Sequence, residues 1–113
     1  MLTKPLSGDQ LLHMLSALAN PQRLRILAAL SKRQAYVSEL ARELRISRPL
    51  LHMHLQRLES AGLVESRHEV SSDGKALRYF KVADFDERLT PERISEAIHT
   101  LTVEHGPERK EKT

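Results

Sequence analysis

The stretch from Ser38 to Gly62 constrains the fold most, because it predicts two short helices joined by a tight turn. Its first half places Leu40, Ala41 and Leu44 on one helical face. Its second half spaces three leucines at i, i+4 and i+7, the pattern of a buried helical stripe. These leucines are Leu51, Leu55 and Leu58. We therefore expect two apolar faces that meet across the turn.

The second of these helices has clear start and stop signals. Ser47 can accept a hydrogen bond as its N-cap, and Pro49 suits the first turn, where backbone N–H groups lack partners. Gly62 favours the left-handed conformation that ends a helix. The outer face then holds a set of polar side chains and one thioether. This set is Arg48, His52, Gln56 and, partly, Met53 and Arg57. We interpret this face as a reader of an acidic partner.

Composition limits the class of protein. The chain has 113 residues, of which 40% are hydrophobic, so it can build one modest core. It has no cysteine, which excludes disulfides, thiolate metal sites and cysteine nucleophiles. Neither a signal peptide nor an apolar run of about 18 residues, the length of a membrane span, is present. These features predict a soluble, cytoplasmic protein.

Positive charge is concentrated in the first part of the chain. Residues 1–83 contain 13 Lys and Arg against 7 Asp and Glu, whereas residues 84–113 contain 5 against 8. The basic charge therefore accompanies the two-helix stretch. This asymmetry favours a polyanionic partner, although a solvated surface would also explain it.

Two helices are predicted before the central stretch. The first, from Gly8 to Ala19, carries a stripe broader than one small core needs, so part of it is expected to face a second subunit. The stripe is Leu11, Leu12, Leu15, Leu18 and Ala19. The second runs from Pro21 to Ser31 after an Asn20 cap. Its inward residues are expected to be Leu24, Leu27 and Ala28, widened by Ile26 and Leu30.

Two strand-like segments follow the central stretch. Residues 63–70 and 76–82 flank an Asp73-Gly74 pair, which is a strong hairpin signal. Residues 34–37 form a short extended link that could pair as a minor strand. Basic side chains lie at the tip and flanks of the hairpin. They are Arg67, His68, Lys75 and Arg78.

A last helix is predicted to start at Thr90-Pro91 and to end near His105. Its apolar stripe is Ile94, Ala97, Ile98 and Leu101. The predicted organisation is therefore a flexible arm over residues 1–7, one domain over 8–105, and a disordered charged tail over 106–113.

This order of elements is that of a mainly α fold with a small β-hairpin (α+β), a winged helix-turn-helix with flanking N- and C-terminal helices. Residues 17–82 also resemble the ArsR/SmtB-type transcriptional regulators. ALANPQRLRILAAL is similar to their second helix, VSELARELRIS to their third, and HMHLQRLESAGLVESR to their recognition helix leading into the wing. The resemblance implies a sequence-specific DNA-binding regulator, most often a repressor.

The predicted DNA contacts combine the recognition helix 48–61 with the wing 63–82, since one α-helix fits the major groove and cations bind phosphate. They are Arg45, Ser47, Arg48, Pro49, His52, Met53, Gln56, Arg57, Arg67, Lys75 and Arg78. The terminal helices are predicted to form a homodimer that binds an inverted repeat of double-stranded DNA. The expected interface is Leu11, Leu12, Leu15, Ile94, Ala97, Ile98 and Leu101. The alternative is a protein-interaction module that uses the same basic face.

No catalytic or metal-binding pattern is found. The chain lacks a glycine-rich phosphate loop and a recognisable catalytic group, so we predict no enzyme. Metal-sensing members of the resembled family carry paired cysteines where this chain has Tyr36 and Ser38. His99, His105 and Glu108 resemble the last-helix ligands of other members, but their spacing does not match. We therefore predict no cofactor, and the effector is open.

Overall fold

The computed structural model describes residues 5–102. The helices are α1 (Gly8–Leu18), α2 (Pro21–Lys32), α3 (Val37–Leu44), α4 (Arg48–Ser60) and α5 (Pro91–Ala97), which continues as a 3₁₀ turn (Ile98–Thr100). The strands are β1 (Ala35–Tyr36), β2 (Val64–Val70) and β3 (Ala76–Val82). The described chain divides into two compact units: residues 13–86 form one, and residues 5–12 with 87–102 form the other.

The unit of residues 13–86 contains the helix-turn-helix and the wing. Its three strands form an antiparallel sheet in the order β1-β3-β2, so the predicted minor strand pairs with the hairpin. Phe80 of β3 lies opposite both Ala35 and Ser66 and is only 1% exposed. The predicted stripe of Leu51, Leu55 and Leu58 is buried with it. The winged helix-turn-helix architecture is therefore confirmed.

The predicted helix boundaries follow from local capping. The Asn20 side chain accepts a hydrogen bond from the Arg23 backbone N–H at 3.1 Å, and Ser47 Oγ accepts one from the Leu50 N–H at 3.2 Å. Gly62 has a φ of 79°, a left-handed conformation that disfavours a side chain, so the helix signal at this position is also confirmed. Residues close together in sequence thus decide where α2 and α4 begin and where α4 ends.

The inward face of α2 differs from the predicted one. Ile26, Leu27 and Leu30 are buried, as their apolar character suggested, but Leu24 is 53% exposed and Ala28 is exposed too. The reason is Arg23, whose guanidinium points inward and donates from Nε to the Ala17 carbonyl at 2.6 Å. An inward arginine rotates the buried stripe by one position, which an apolarity rule does not detect.

The buried side of α1 also differs from the prediction. Leu11, Met14 and Ala17 are buried, whereas Leu12 is 44% exposed and Ala19 is exposed. Ala17 is completely buried, and its carbonyl accepts the hydrogen bond from Arg23 that links α1 to α2 at this point. A small side chain is needed there, and the larger leucines occupy other positions.

Helix α5 belongs to the second unit, which contains the residues before 13 and after 86, and it is shorter than predicted. The helix expected to reach His105 ends as α-helix at Ala97 and as a 3₁₀ turn at Thr100. Hydrogen bonds to α1 turn the chain there: the Gly8 N–H donates to Thr100 Oγ at 2.7 Å, and the Thr102 N–H donates to Asp9 Oδ1 at 2.8 Å. His105 lies outside the described residues. The predicted tail 106–113 lies outside them as well.

Candidate nucleic-acid interface

Helix α4 presents its exposed face because both of its ends are held. Arg45, with a φ of 58°, ends α3 in a left-handed conformation, and its backbone N–H donates to the carbonyls of the preceding turn. Ser47 caps α4 two residues later. The turn between the two helices is therefore short and rigid, and it fixes the direction in which the first residues of α4 point.

The centre of the exposed face of α4 is not where the sequence placed it. At about 100° of rotation per residue, the side opposite the buried leucines carries Pro49, Met53 and Gln56. Arg48 and His52 flank this line on one side, and all five residues are exposed. Met53, which the sequence placed only partly on this face, is 64% exposed. The face is thus a mixed one, apolar at its centre and polar at its edges.

Three cations at the start of α4 and on the hairpin have no ion-pair partner among the described residues. Among the described residues, Arg45, Arg48 and Lys75 have exposed side chains and form no ion pair or side-chain hydrogen bond with another residue. Arg45 and Arg48 lie at the start of α4, and Lys75 lies at the tip of the hairpin. Their charges are available to an anionic partner, because no carboxylate of the described chain neutralises them directly.

Arg57 differs from these cations, because it contacts another helix. Its Nη2 donates to Ser16 Oγ of α1. His13 Nε2 similarly lies 3.1 Å from Ser60 Oγ at the end of α4. Arg57, which the sequence predicted to contact DNA, thus also links the C-terminal half of α1 to the recognition helix.

The wing arginines are also engaged within the chain. Arg67 Nε donates to Glu69 Oε2 at 2.8 Å, and its guanidinium lies 4.6 Å from the centre of the Tyr79 ring. The Tyr36 hydroxyl donates to the other Glu69 oxygen at 2.9 Å. These bonds from Arg67 and Tyr36 lower the pKa of Glu69, and the bond to Glu69 raises the pKa of Tyr36.

Arg78 lies on the other face of the hairpin and faces α4. Its Nη2 donates to Glu59 Oε1 at 2.9 Å, while Ser66 Oγ donates to Glu59 Oε2 at 2.7 Å. The guanidinium also lies 5.0 Å from the centre of the Phe80 ring. Arg67 and Arg78, which the sequence predicted to contact phosphate, are thus each paired with a carboxylate of the wing or of α4.

His54 occupies the packed side of α4. It is 9% exposed, and its Nδ1 lies 3.2 Å from Arg23 Nη1. Because a guanidinium can only donate, Nδ1 is the acceptor and carries no proton. Burial and the Arg23 charge lower the pKa of His54. Sequence reasoning missed Arg23 as its partner, since 31 residues separate the two and no spacing rule connects them.

The predicted dimer residues divide into two groups by exposure. Leu12, Ile94 and Ile98 are 44%, 46% and 60% exposed, and Leu15 and Leu101 are half-buried. Leu11 and Ala97, at 5% and 6%, are already buried within the single chain and have little surface left for a partner. These two residues support the helices, and the exposed residues remain available to a partner.

The described residues show no metal centre. Within residues 5–102, no group of three or more His, Asp or Glu side chains is arranged to hold a metal ion. His99 is exposed, and His105 and Glu108 lie outside the described residues. Tyr36, at a position where related metal sensors carry cysteine, bonds to Glu69.

The described helices are also too short or too polar to cross a membrane. This applies to residues 5–102 alone.

Comparison with known proteins identifies the family. Residues 20–66 match the model of the bacterial regulatory proteins of the arsR family. An uncharacterised HTH-type transcriptional regulator of Methanocaldococcus jannaschii is 45% identical over 69 residues, which are 61% of this chain and 72% of that protein. The nodulation protein NolR of Rhizobium meliloti is 40% identical over 58 residues, 51% of this chain and 48% of that protein.

A solved structure agrees with these sequence relationships. The homodimeric winged helix-turn-helix DNA-binding domain of a possible ArsR-family transcriptional regulator from Mycobacterium bovis superposes with a TM-score of 0.60. It is 28% identical, and the match covers 80% of this chain and 73% of that one. Family, fold and relatives are those of transcriptional regulators and not of enzymes. The chain belongs to the ArsR family and is a transcriptional regulator with a winged helix-turn-helix DNA-binding domain.

Proposed function

We propose that the protein is a homodimeric repressor that binds an inverted-repeat operator with its recognition helix and wing. The observation that carries this proposal is the exposed face of α4, with the unpaired cations Arg45 and Arg48 at its start and Lys75 at the tip of the wing. Cations without an internal partner can neutralise phosphates, and side chains at the start of a helix can reach base edges. In this proposal the cations supply affinity and the helix face supplies sequence preference.

Three residues have the chemistry to contact base edges. Arg48 can donate a forked pair of hydrogen bonds to guanine O6 and N7, and Gln56 can bond an adenine. His52 lies between them in sequence and is exposed. Arg45 and Ser47 face the phosphates at the start of the helix, and Lys75 contacts phosphate from the wing. Three other arginines are proposed to contribute indirectly, by holding the wing and α1 in place through bonds within the chain. They are Arg57, Arg67 and Arg78.

Dimer formation rests on exposed apolar side chains of the flanking helices. Leu12, Ile94 and Ile98 are about half exposed, and burying such side chains between two subunits is favourable. The relative from Mycobacterium bovis is homodimeric. The domain is proposed to span residues 8–105, including the flanking helices, and to act in the cytoplasm. Repression is proposed because it is the commoner activity in the resembled family.

The test is selection of bound duplexes from a random DNA pool at near-physiological salt. We expect an inverted repeat whose half-sites lie about 34 Å apart, one helical turn, and a dimer in sedimentation experiments. A template with this repeat across its promoter should be transcribed less when the protein is added. Absence of enrichment, with binding that vanishes uniformly as salt rises, would instead favour an acidic protein partner for the same face.

The variant Arg48→Ala then tests whether the exposed face of α4 contacts base edges. It should weaken binding to the enriched site by about 1–3 kcal/mol if Arg48 contacts a base. Arg88→Ala is the matched control, since Arg88 is also exposed but lies outside the unit of residues 13–86. Equal weakening by Arg48→Ala on all sequences would make Arg48 a phosphate contact.

A further inference from the structure

Met53 is the most exposed large apolar side chain of α4. It is 64% exposed and lies at the centre of the outward face, one turn after Pro49 and one turn before Gln56. The leucines at positions 51, 55 and 58, by comparison, are at most 1% exposed. The helix is therefore well packed on its inner side, and Met53 is not part of the hydrophobic core.

The neighbours of Met53 narrow the range of partners. Arg48 and His52 on the same helix are exposed, and Arg45 before the helix and Lys75 on the wing have no carboxylate partner among the described residues. A surface of this charge attracts DNA. A thioether, however, cannot neutralise phosphate or make the hydrogen bonds that distinguish most base edges.

The major groove offers one apolar group, the 5-methyl group of thymine. A methionine side chain is unbranched and flexible, so it can adapt to the position of a methyl group on the groove floor. Contact between the two would remove apolar surface of both from water. Pro49 and Gln56 lie on either side of Met53 along the helix and are also exposed, so Met53 occupies the middle of the face that would enter the groove.

From this juxtaposition we propose that Met53 determines specificity by contacting the 5-methyl group of a thymine in each half-site. The inference rests on the proposed function, because it requires α4 to enter the major groove. The inference adds an apolar contact to that function. Met53 would contact a thymine methyl group in the middle of a helix face whose other proposed contacts are polar.

The experiment is a cycle of protein and DNA changes on the enriched duplex. Each thymine of the half-site is replaced in turn by deoxyuridine, which removes the methyl group and leaves the base pairing intact. Burial of one methyl group contributes about 0.8 kcal/mol, so the wild-type protein should bind one such duplex about fourfold more weakly. Met53→Gln, which keeps the length of the side chain but makes it polar, should bind both duplexes equally.

Two further variants keep the test clear. Met53→Leu should retain part of the preference for thymine, because it remains apolar. Leu24→Ala is the matched control, since Leu24 is 53% exposed on α2, and it should discriminate between the duplexes like the wild type. Met53 is exposed, so its substitution is not expected to unfold the protein.

The outcomes separate this inference from the proposed function. If the wild type enriches no sequence, the proposed function fails. The wild type could enrich an inverted repeat while no deoxyuridine duplex weakens binding, or Met53→Gln could show the same deoxyuridine effect as the wild type. Either result refutes the contact between Met53 and thymine and leaves the proposed DNA-binding function in place.

Discussion

Removing the Glu59 carboxylate should loosen the wing from the recognition helix. Glu59 accepts from Arg78 at 2.9 Å and from Ser66 at 2.7 Å, so Glu59→Ala breaks two bonds at the end of α4. Hydrogen bonds to charged groups contribute about 1.5–3 kcal/mol each when buried. The Arg78 and Glu59 side chains are 37% and 35% exposed, so solvent screening reduces this to about 1–2 kcal/mol in total.

Urea denaturation measures the effect directly. We expect Glu59→Ala to lower the free energy of unfolding by about 1–2 kcal/mol, or the melting temperature by about 4–8 °C for each kcal/mol. Arg78→Ala should have a similar effect, and the double variant should be less destabilised than the sum. Glu65→Ala is the matched control, because its pair with Lys81, at 3.6 Å, is more exposed. Additive effects of the Glu59 and Arg78 substitutions would refute the coupling.

The same pair predicts how DNA affinity depends on salt. Because Arg78 is bonded to Glu59, Arg78→Ala should leave the slope of log affinity against log salt nearly unchanged. Lys75 has no internal partner among the described residues, and Lys75→Ala should reduce the slope by about 0.9. Equal reductions for both variants would mean that Arg78 leaves Glu59 to bind phosphate, contrary to the structure.

Three further predictions concern α4 itself. Burial and Arg23 lower the pKa of His54, so below pH 6.5 the unfolded chain binds a proton there that the folded chain does not, and stability should fall as the pH drops. In urea titrations at several pH values, His54→Gln should reduce the slope of stability against pH by up to about 1.4 kcal/mol per pH unit. An unchanged slope would contradict this prediction. Leu55→Ala, at a site 1% exposed, should cost about 2–5 kcal/mol of unfolding free energy, and a loss below about 1 kcal/mol would show that α4 packs differently. Ser47→Ala should cost about 1 kcal/mol by removal of the N-cap, with Ser47→Gly costing only a few tenths; similar losses for both would point to another role for the hydroxyl.

The sequence predicted the elements of the DNA-binding unit well, because local signals specify them. Asn20, Ser47 and Gly62 act on the backbone within a few residues of themselves, and the structure has each in the predicted role. The hairpin around Gly74 is equally local, since this glycine has a φ of 85°. Capping and turn formation depend little on the rest of the chain.

The orientation of side chains was predicted less well. Periodicity finds apolar residues, but it does not tell which of two apolar faces packs against the core. On α2 the inward Arg23 shifted the face, and on α1 the small Ala17 was buried while the larger Leu12 was not. In both helices a contact with another element, distant in sequence, decided the result.

The candidate site shows the same division between local and tertiary information. By itself the sequence determined the helices, the hairpin, the family resemblance and the positive charge of residues 1–83, because these depend on residue type and spacing. Only the tertiary structure decided which cations remain free. Arg78 meets Glu59 across 19 residues, and Arg23 meets His54 across 31. Such pairs form where the packing of whole helices and strands brings the side chains together, which no sequence spacing encodes.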